Sequence, residues 1–223
     1  MRAIALPVKS LEDAKSRLDP VLSPLERAAL TLAMLEDVLD ATTALPGWET
    51  WVISPDEAVL EVAARRGVHP VTEEEPPLSS ALRQVEEEAV GRRLDAFAIL
   101  LPDTPLVTPA ALTRALHTLG PVVLAPSLDE VGTNLLLRRP PTAIASRFGP
   151  SSYRKHLEAA AEADAPVSVV EAPELGFDLD DPDDILTVLE ARRAGRTRDV
   201  LRELDLPERL ASRASRPTWS SRA

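Results

Sequence analysis

Short apolar runs alternate with longer stretches of helical period along most of this chain. Ala3 to Leu6 reads as a buried strand closed by Pro7, and further strands are predicted at Trp51–Ser54, Val68–Val71, Phe97–Leu101, Val122–Ala125, Leu135–Leu137 and Val167–Val170. Between them the pattern turns helical. Ser23 and Glu26 have capping-box spacing, Pro24 suits a first helical position, and Leu30, Leu35 and Leu39 continue the apolar stripe. Helices are expected at about 56–66 and 79–92. The polar-Pro start recurs at Thr108-Pro109 and Asp181-Pro182, and Ser151 opens a helix running to about Glu162. This alternation predicts a single layered α/β domain with a mostly parallel central sheet and helices on both faces. Its ligand site belongs beyond the carboxyl ends of the strands.

Composition narrows the function classes. With 223 residues, 44% of them hydrophobic, the chain can bury a substantial core, and the absence of cysteine excludes disulfides, thiolate metal sites and cysteine nucleophiles. The start, Met1 to Pro7, is too short for a secretory apolar region, and no apolar run approaches the roughly 20 residues that cross a bilayer, so a cytoplasmic protein with no membrane partner is expected. The net charge of −11 argues against nucleic acid as a partner. The charge is unevenly spread. Residues 192–223 carry nine Arg against four acids, +5, which leaves −16 on residues 1–191. The expected division is therefore a domain over 1–191 and a basic C-terminal extension over 192–223, with one helix at 197–210 and no order in the last dozen residues. Oligomeric state stays open, with a homodimer among the allowed assemblies.

Candidate chemistry is concentrated in a few segments. In Gly176-Phe177-Asp178-Leu179-Asp180-Asp181-Pro182-Asp183-Asp184, extended backbone puts Asp178 and Asp180 on one face and Leu179 on the other. Such a pair suits a hard divalent cation, although acids before a helix also serve simply as caps. Asp181 reads as the cap and Asp183 and Asp184 as first-turn charges. Asp103, between Pro102 and Thr104-Pro105, ends a predicted central strand, the address of either a catalytic acid or a turn aspartate. Two of only three lysines in the chain, Lys9 and Lys15, fall in the loop after the first strand. The loop Asp129–Asn134 offers Gly132 for close approach and Thr133 and Asn134 for hydrogen bonds. Phe148–His156 puts Gly149, Ser151, Ser152 and basic residues at a helix start, where free amides favour anions. His156 is expected to be packed or solvent-facing, and His69 and His117 have no partner pattern. No Walker, dinucleotide-binding or serine-hydrolase motif is present. Acids at strand ends, a lysine loop and late phosphate-type loops point to nucleotidyl transfer.

On these segments the chain resembles the guanylyltransferases of deazaflavin coenzyme (coenzyme F420) biosynthesis, which join GTP to 2-phospho-L-lactate or phosphoenolpyruvate. The resemblance spans about residues 3–190. It rests on Leu-Pro-Val-Lys and Lys-Ser-Arg-Leu (6–9, 15–18), Pro-Asp-Thr-Pro (102–105), Gly-Thr-Asn (132–134), Phe-Gly-Pro-Ser-Ser (148–152) and the acidic run at 178–184, in that order and spacing. It implies a single-domain nucleotidyltransferase-like fold. It further implies Mg²⁺ on Asp103, Asp178 and Asp180, acceptor contacts from Thr133, Gly149 and Ser152, and catalytic roles for Asp103, Lys9 and Lys15, the lysines approaching the triphosphate. One departure concerns the base. Relatives commonly have Gly-Leu-Asn where this chain has Leu78-Ser79-Ser80, which leaves selectivity for guanine open. The alternatives are a sugar- or polyol-phosphate nucleotidyltransferase and a catalytically silent binding module.

Overall fold

The computed structural model describes residues 1–75, 77–192 and 195–214. Seven strands form one sheet: β1 (Arg2–Pro7), β2 (Glu49–Ser54), β3 (His69–Thr72), β4 (Ala96–Leu100), β5 (Val122–Pro126), β6 (Thr133–Arg138) and β7 (Val167–Val169), in the order β3-β2-β1-β4-β6-β5-β7. All pairings are parallel except those of β6, which runs antiparallel to both β4 and β5. Its reversal matters for the site. Leu101 N–H donates to Asn134 O at 2.9 Å, so the amino end of β6 lies beside the carboxyl end of β4.

Helices cover both faces, as the alternation predicted. On one face, α1 (Pro24–Thr43), α2 (Glu57–Arg65) and α4 (Pro109–His117) pack on Ile4, Leu6, Ala98 and Leu100. On the other, α3 (Leu78–Gly91) packs on Ala3, Ala5, Phe97 and Ile99, and α5 (Ser152–Glu162) on Val122, Leu124 and Leu136. Adjacent residues of β1 thus feed different cores, which is the period-two alternation of a strand covered on both sides. The capping box at Ser23 and Glu26 forms as expected.

A third core lies away from the sheet. Leu18, Leu30, Met34, Leu179, Ile185 and Leu201 bring together α1, α7 (Pro182–Glu190), which follows the short α6 (Pro173–Gly176), and α8 (Arg196–Glu203). The carboxylate of Asp37, in α1, accepts the backbone amides of Arg196 at 2.8 Å and Thr197 at 2.9 Å, capping α8 from another helix. The one helix expected at 197–210 is two, because Asp205 turns left-handed at φ 51° before α9 (Leu206–Ala214). The expected lack of order in the last dozen residues falls, for 215–223, outside the described residues. Among those described, no helix is long and apolar enough to cross a membrane.

Candidate active site

At the carboxyl ends of β1, β4 and β5 and the amino end of β6 the sheet opens on a cleft of about 810 Å³. Residues Lys9, Lys15, Asp103, Thr133, Gly149, Ser152, Asp178 and Asp180 all line it. The cleft has two halves of different chemistry.

The first half is ionic. Leu179 is fully buried in the third core, so Asp178 and Asp180 point the other way, toward Asp103. Backbone pairing fixes the approach: Leu179 N–H donates to Asp103 O at 2.9 Å. Lys15 is lodged between the acids, with Nζ 2.8 Å from Asp103 Oδ2 and 2.7 Å from Asp180 Oδ1, and its side chain is only 9% exposed. The loop carrying it is held by Leu18 in the core and by Arg27 Nε, which donates to Ala14 O at 3.1 Å. Lys15 itself has left-handed backbone, φ 53° and ψ 40°. That conformation costs a non-glycine residue on the order of 1 kcal/mol, and the two ion pairs offset it. Arg17 adds a longer contact to Asp180 at 3.5 Å, and Lys9 is exposed at the rim.

The charges perturb one another. Burial works against protonation of Lys15, but the adjacent Asp103 and Asp180 outweigh it and hold the ammonium above its ordinary value. Burial would raise Asp180, yet Lys15 keeps its carboxyl below the usual range. Asp178 lacks such a partner. Burial first, then the charge of Asp103, push its carboxyl up to about 6, against a hydrogen bond from Asn134.

Asn134 and Asp184 have supporting roles that differ from the sequence reading. Asn134 Nδ2 lies 3.0 Å from the carbonyls of Leu175 and Gly176 and 3.2 Å from Asp178 Oδ1, so its amide is engaged by the protein and positions Asp178. Asp184 Oδ2 accepts the amides of Asp180 at 2.8 Å and Asp181 at 2.7 Å, and so fixes the backbone that presents Asp180. The three-residue spacing of Asp181 and Asp184 was the available signal.

Among the described residues no group of three or more acids or histidines is drawn in around a common point for a metal ion. Lys15 holds the position between two of the three candidate ligands. The donor set nevertheless fits a hard cation: it consists of carboxylates, and Asp103 Oδ1 is buried with no hydrogen-bond partner.

The second half, at Thr133, Gly149 and Ser152, is neutral and built of donors; the Asp129 carboxylate, which also lines the cleft, is taken up by the Ser127 hydroxyl and the Val131 amide. Gly149 has φ 109°, which a side chain would strain, and Ser151 is left-handed at φ 55°, so the chain turns sharply into α5. Gly132 makes a close approach, but to protein: its N–H donates to Ser127 Oγ at 2.7 Å, and an added Cβ would stand 2.9 Å from that oxygen. Thr133 and Ser152 are buried at the cleft floor. His156 is packed, as expected, with Nδ1 3.0 Å from Thr133 Oγ1 and Nε2 accepting the Arg147 amide at 2.8 Å. Burial, reinforced by the charges of Arg138 and Arg147, lowers its pKa to about 4.

That shift has a stability consequence. The unfolded chain takes up the histidine proton near 6.5 and the folded chain only near 4, so stability present above pH 6.5 is lost as pH falls toward 4, by about 3 kcal/mol. Melting curves from pH 7.5 to 4.5 should show a steeper loss for the wild type than for His156→Asn. Parallel curves would sink this assignment.

The fold is that of the nucleotidyltransferases: a nucleotidyl transferase from Methanothermobacter thermautotrophicus superposes with a TM-score of 0.64 at 20% identity, over 91% of this chain and 99% of that one. The class can be narrowed by sequence. Residues 1–217 match the family model described as guanylyl transferase CofC like, and the chain belongs to that family. It is 40% identical to the phosphoenolpyruvate guanylyltransferase of Rubrobacter xylanophilus over 183 residues, 81% of this chain and 89% of the relative. It is 38% identical to the 2-phospho-L-lactate guanylyltransferase of Haloarcula marismortui over 186 residues, 83% and 84% of the two chains. The family resemblance read from the motifs is borne out.

Proposed function

We propose that this protein transfers the guanylyl group of GTP to the phosphate of phosphoenolpyruvate or, as the other acceptor, 2-phospho-L-lactate, with release of pyrophosphate. The observation that carries this reading is the division of one cleft into an ionic half, Asp103, Asp178, Asp180 and Lys15, and a neutral donor half, Thr133, Gly149 and Ser152. A phosphate oxygen of the acceptor attacks the α-phosphorus in line, the bond to the β-phosphate oxygen breaks, and pyrophosphate leaves. A phosphate monoester has its second pKa near 6, so at neutral pH the nucleophile is already ionised and no protein base is required. The difficulty is electrostatic. Two polyanions must be brought together, which makes positioning and charge shielding the main catalytic tasks.

The residues divide that work. Lys9, Lys15 and Arg17 supply positive charge to the nucleotide half. The buried hydroxyls of Thr133 and Ser152 and the turn at Gly149 hold the acceptor without adding charge. Asp103, Asp178 and Asp180 would hold Mg²⁺, which when bound neutralises charge on the phosphate oxygens. Leu78, at the start of α3, lines the cleft where relatives commonly have Gly-Leu-Asn, so guanine is assigned from the family rather than from this segment.

Two measurements test the reading. With pyrophosphate release as readout, the four nucleoside triphosphates crossed with phosphoenolpyruvate, 2-phospho-L-lactate and 3-phosphoglycerate should give turnover with GTP and one of the first two acids. Turnover with a sugar phosphate in their place would favour the sugar-phosphate alternative. Thr133→Val and Ser152→Ala should each raise the acceptor KM about tenfold with little change in the GTP KM, the effect of losing one hydrogen bond to a charged oxygen.

A further inference from the structure

His156 is a buried titratable group outside the proposed chemistry, and its hydrogen bonds determine more than its packing. The ring lies edge-on to Phe148, with centroids 4.9 Å apart, and bridges the two segments that form the neutral half of the cleft. A peptide N–H can only donate. Because the Arg147 amide points at Nε2 at 2.8 Å, that nitrogen carries a lone pair, and the proton of the neutral ring sits on Nδ1. Nδ1–H then donates to Thr133 Oγ1 at 3.0 Å. Thr133 Oγ1 has no other partner among the described residues, so its own O–H is left without an acceptor among them.

We infer that His156 is a positioning residue that makes Thr133 an obligate hydrogen-bond donor to an anionic oxygen of the acceptor substrate, through the chain Arg147 N–H, His156 ring, Thr133 O–H. This rests on the assignment of Thr133 to the acceptor site. A freely rotating hydroxyl can accept or donate. With an N–H aimed at its oxygen, its remaining hydrogen is committed outward, which is the polarity that a phosphate or carboxylate oxygen requires. The same ring ties Arg147, just before the turn at Gly149, to the first residue of β6, so the loop and the hydroxyl are set by one side chain. The arrangement adds no charge to a cleft that must already accommodate two polyanions.

Two amide substitutions separate the halves of the ring. In His156→Asn the side-chain N–H stands near the place of Nδ1 and can still donate to Thr133. In His156→Gln the amide reaches the place of Nε2 and can meet Arg147 but leaves Thr133 without its donor. Steady-state pyrophosphate release at saturating GTP should show the acceptor KM of His156→Gln raised on the order of tenfold. That of His156→Asn should rise by less than a third as much, and the GTP KM should move less than twofold in either. The double variant Thr133→Val/His156→Gln should be no worse than Thr133→Val alone, since both remove one donor. Equal effects of Asn and Gln, the reverse order, or additive losses in the double variant would overturn the inference while leaving the acceptor site in place. An unchanged acceptor KM in Thr133→Val would instead overturn the acceptor assignment and this inference with it. Thermal melts of each variant separate a purely structural role, which would lower the melting temperature without splitting the two KM values.

Discussion

Asp178→Asn should abolish Mg²⁺-dependent pyrophosphate release, by at least about a thousandfold, while making the metal-free protein slightly more stable. The activity loss follows from the task. Charge between two polyanions must be shielded, and removing one carboxylate from the proposed three-carboxylate Mg²⁺ set should cost several kcal/mol of transition-state stabilisation, or about three powers of ten in rate. The gain in stability follows from position. Burial, then the neighbouring Asp103, push the Asp178 carboxyl up to about 6. A folded-state pKa raised above the ordinary 3.8 means that the ionised form is disfavoured on folding. The favourable balance is complete below pH 3.8 and is lost as pH rises through 6. Asn removes that cost and can still accept the hydrogen bond from Asn134 Nδ2 through Oδ1. Because Asp178 is partly exposed, solvent screening reduces the gain to about 1 kcal/mol at pH 7.5. Asp103→Asn should lose activity equally but gain nothing comparable, since it gives up the ion pair with Lys15. Melting in EDTA beside pyrophosphate release with Mg²⁺ checks both halves. Wild-type rates in Asp103→Asn, Asp178→Asn and Asp180→Asn would refute the metal assignment.

The pattern of the chain carried the strands, the helix starts and the end of the sheet at which the cleft opens, because those depend on local periodicity. Leu179 is the clearest case: two acids flanking one apolar residue in extended backbone fixed which way each side chain would face, and the leucine is buried as that geometry requires. The direction of β6 was harder. Leu135 to Leu137 are apolar on both faces, and a strand buried on both sides has no polar edge from which orientation can be read. Its connection did contain the signal. Only residues 127–132 separate β5 from β6, too few for a parallel crossover, which needs a dozen or more. The partners of Lys15 and His156 were beyond reach for a different reason. Lys15 meets acids 88 and 165 residues away, and His156 meets a hydroxyl 23 residues earlier, contacts that exist only once the sheet has set its register. Asn134 illustrates the limit: its side chain looked free to bind ligand until the carbonyls of Leu175 and Gly176 were brought to it.

Lys15→Met should be the most destabilising of the site substitutions, and Mg²⁺ should partly reverse the loss. The ammonium is nearly buried and pairs with both Asp103 and Asp180 at under 3 Å. Removing one member of a buried ion pair costs roughly 3–5 kcal/mol because the remaining charge is left uncompensated. Asp180 is more than a third exposed, so the expected cost here is nearer 2–3 kcal/mol. Its pH signature is definite. The attraction of the two acids raises the Lys15 pKa above 10.5, so its contribution is complete below that value and constant through neutral pH. Asp180 is held below 3.8, so the other side of the pair is present above that value and is lost only in stronger acid. The gap between wild type and variant should therefore be widest at pH 8 to 9 and narrow as pH falls through 6 into acid, because Lys15 also holds down the neighbouring Asp178, whose carboxyl already stands at about 6. A methionine leaves room and negative charge between the carboxylates, so the melting temperature of Lys15→Met should rise more with added Mg²⁺ than that of the wild type, whose lysine already supplies a cation there. Catalysis should not recover with stability, because the proposed role of the lysine also places it beside the nucleotide: kcat/KM for GTP should remain at least a hundredfold down at saturating Mg²⁺. Lys9→Ala, at the exposed rim, should weaken GTP use less and leave the melting temperature unchanged. If Lys15→Met altered only the acceptor KM, the two halves of the cleft would have to be exchanged.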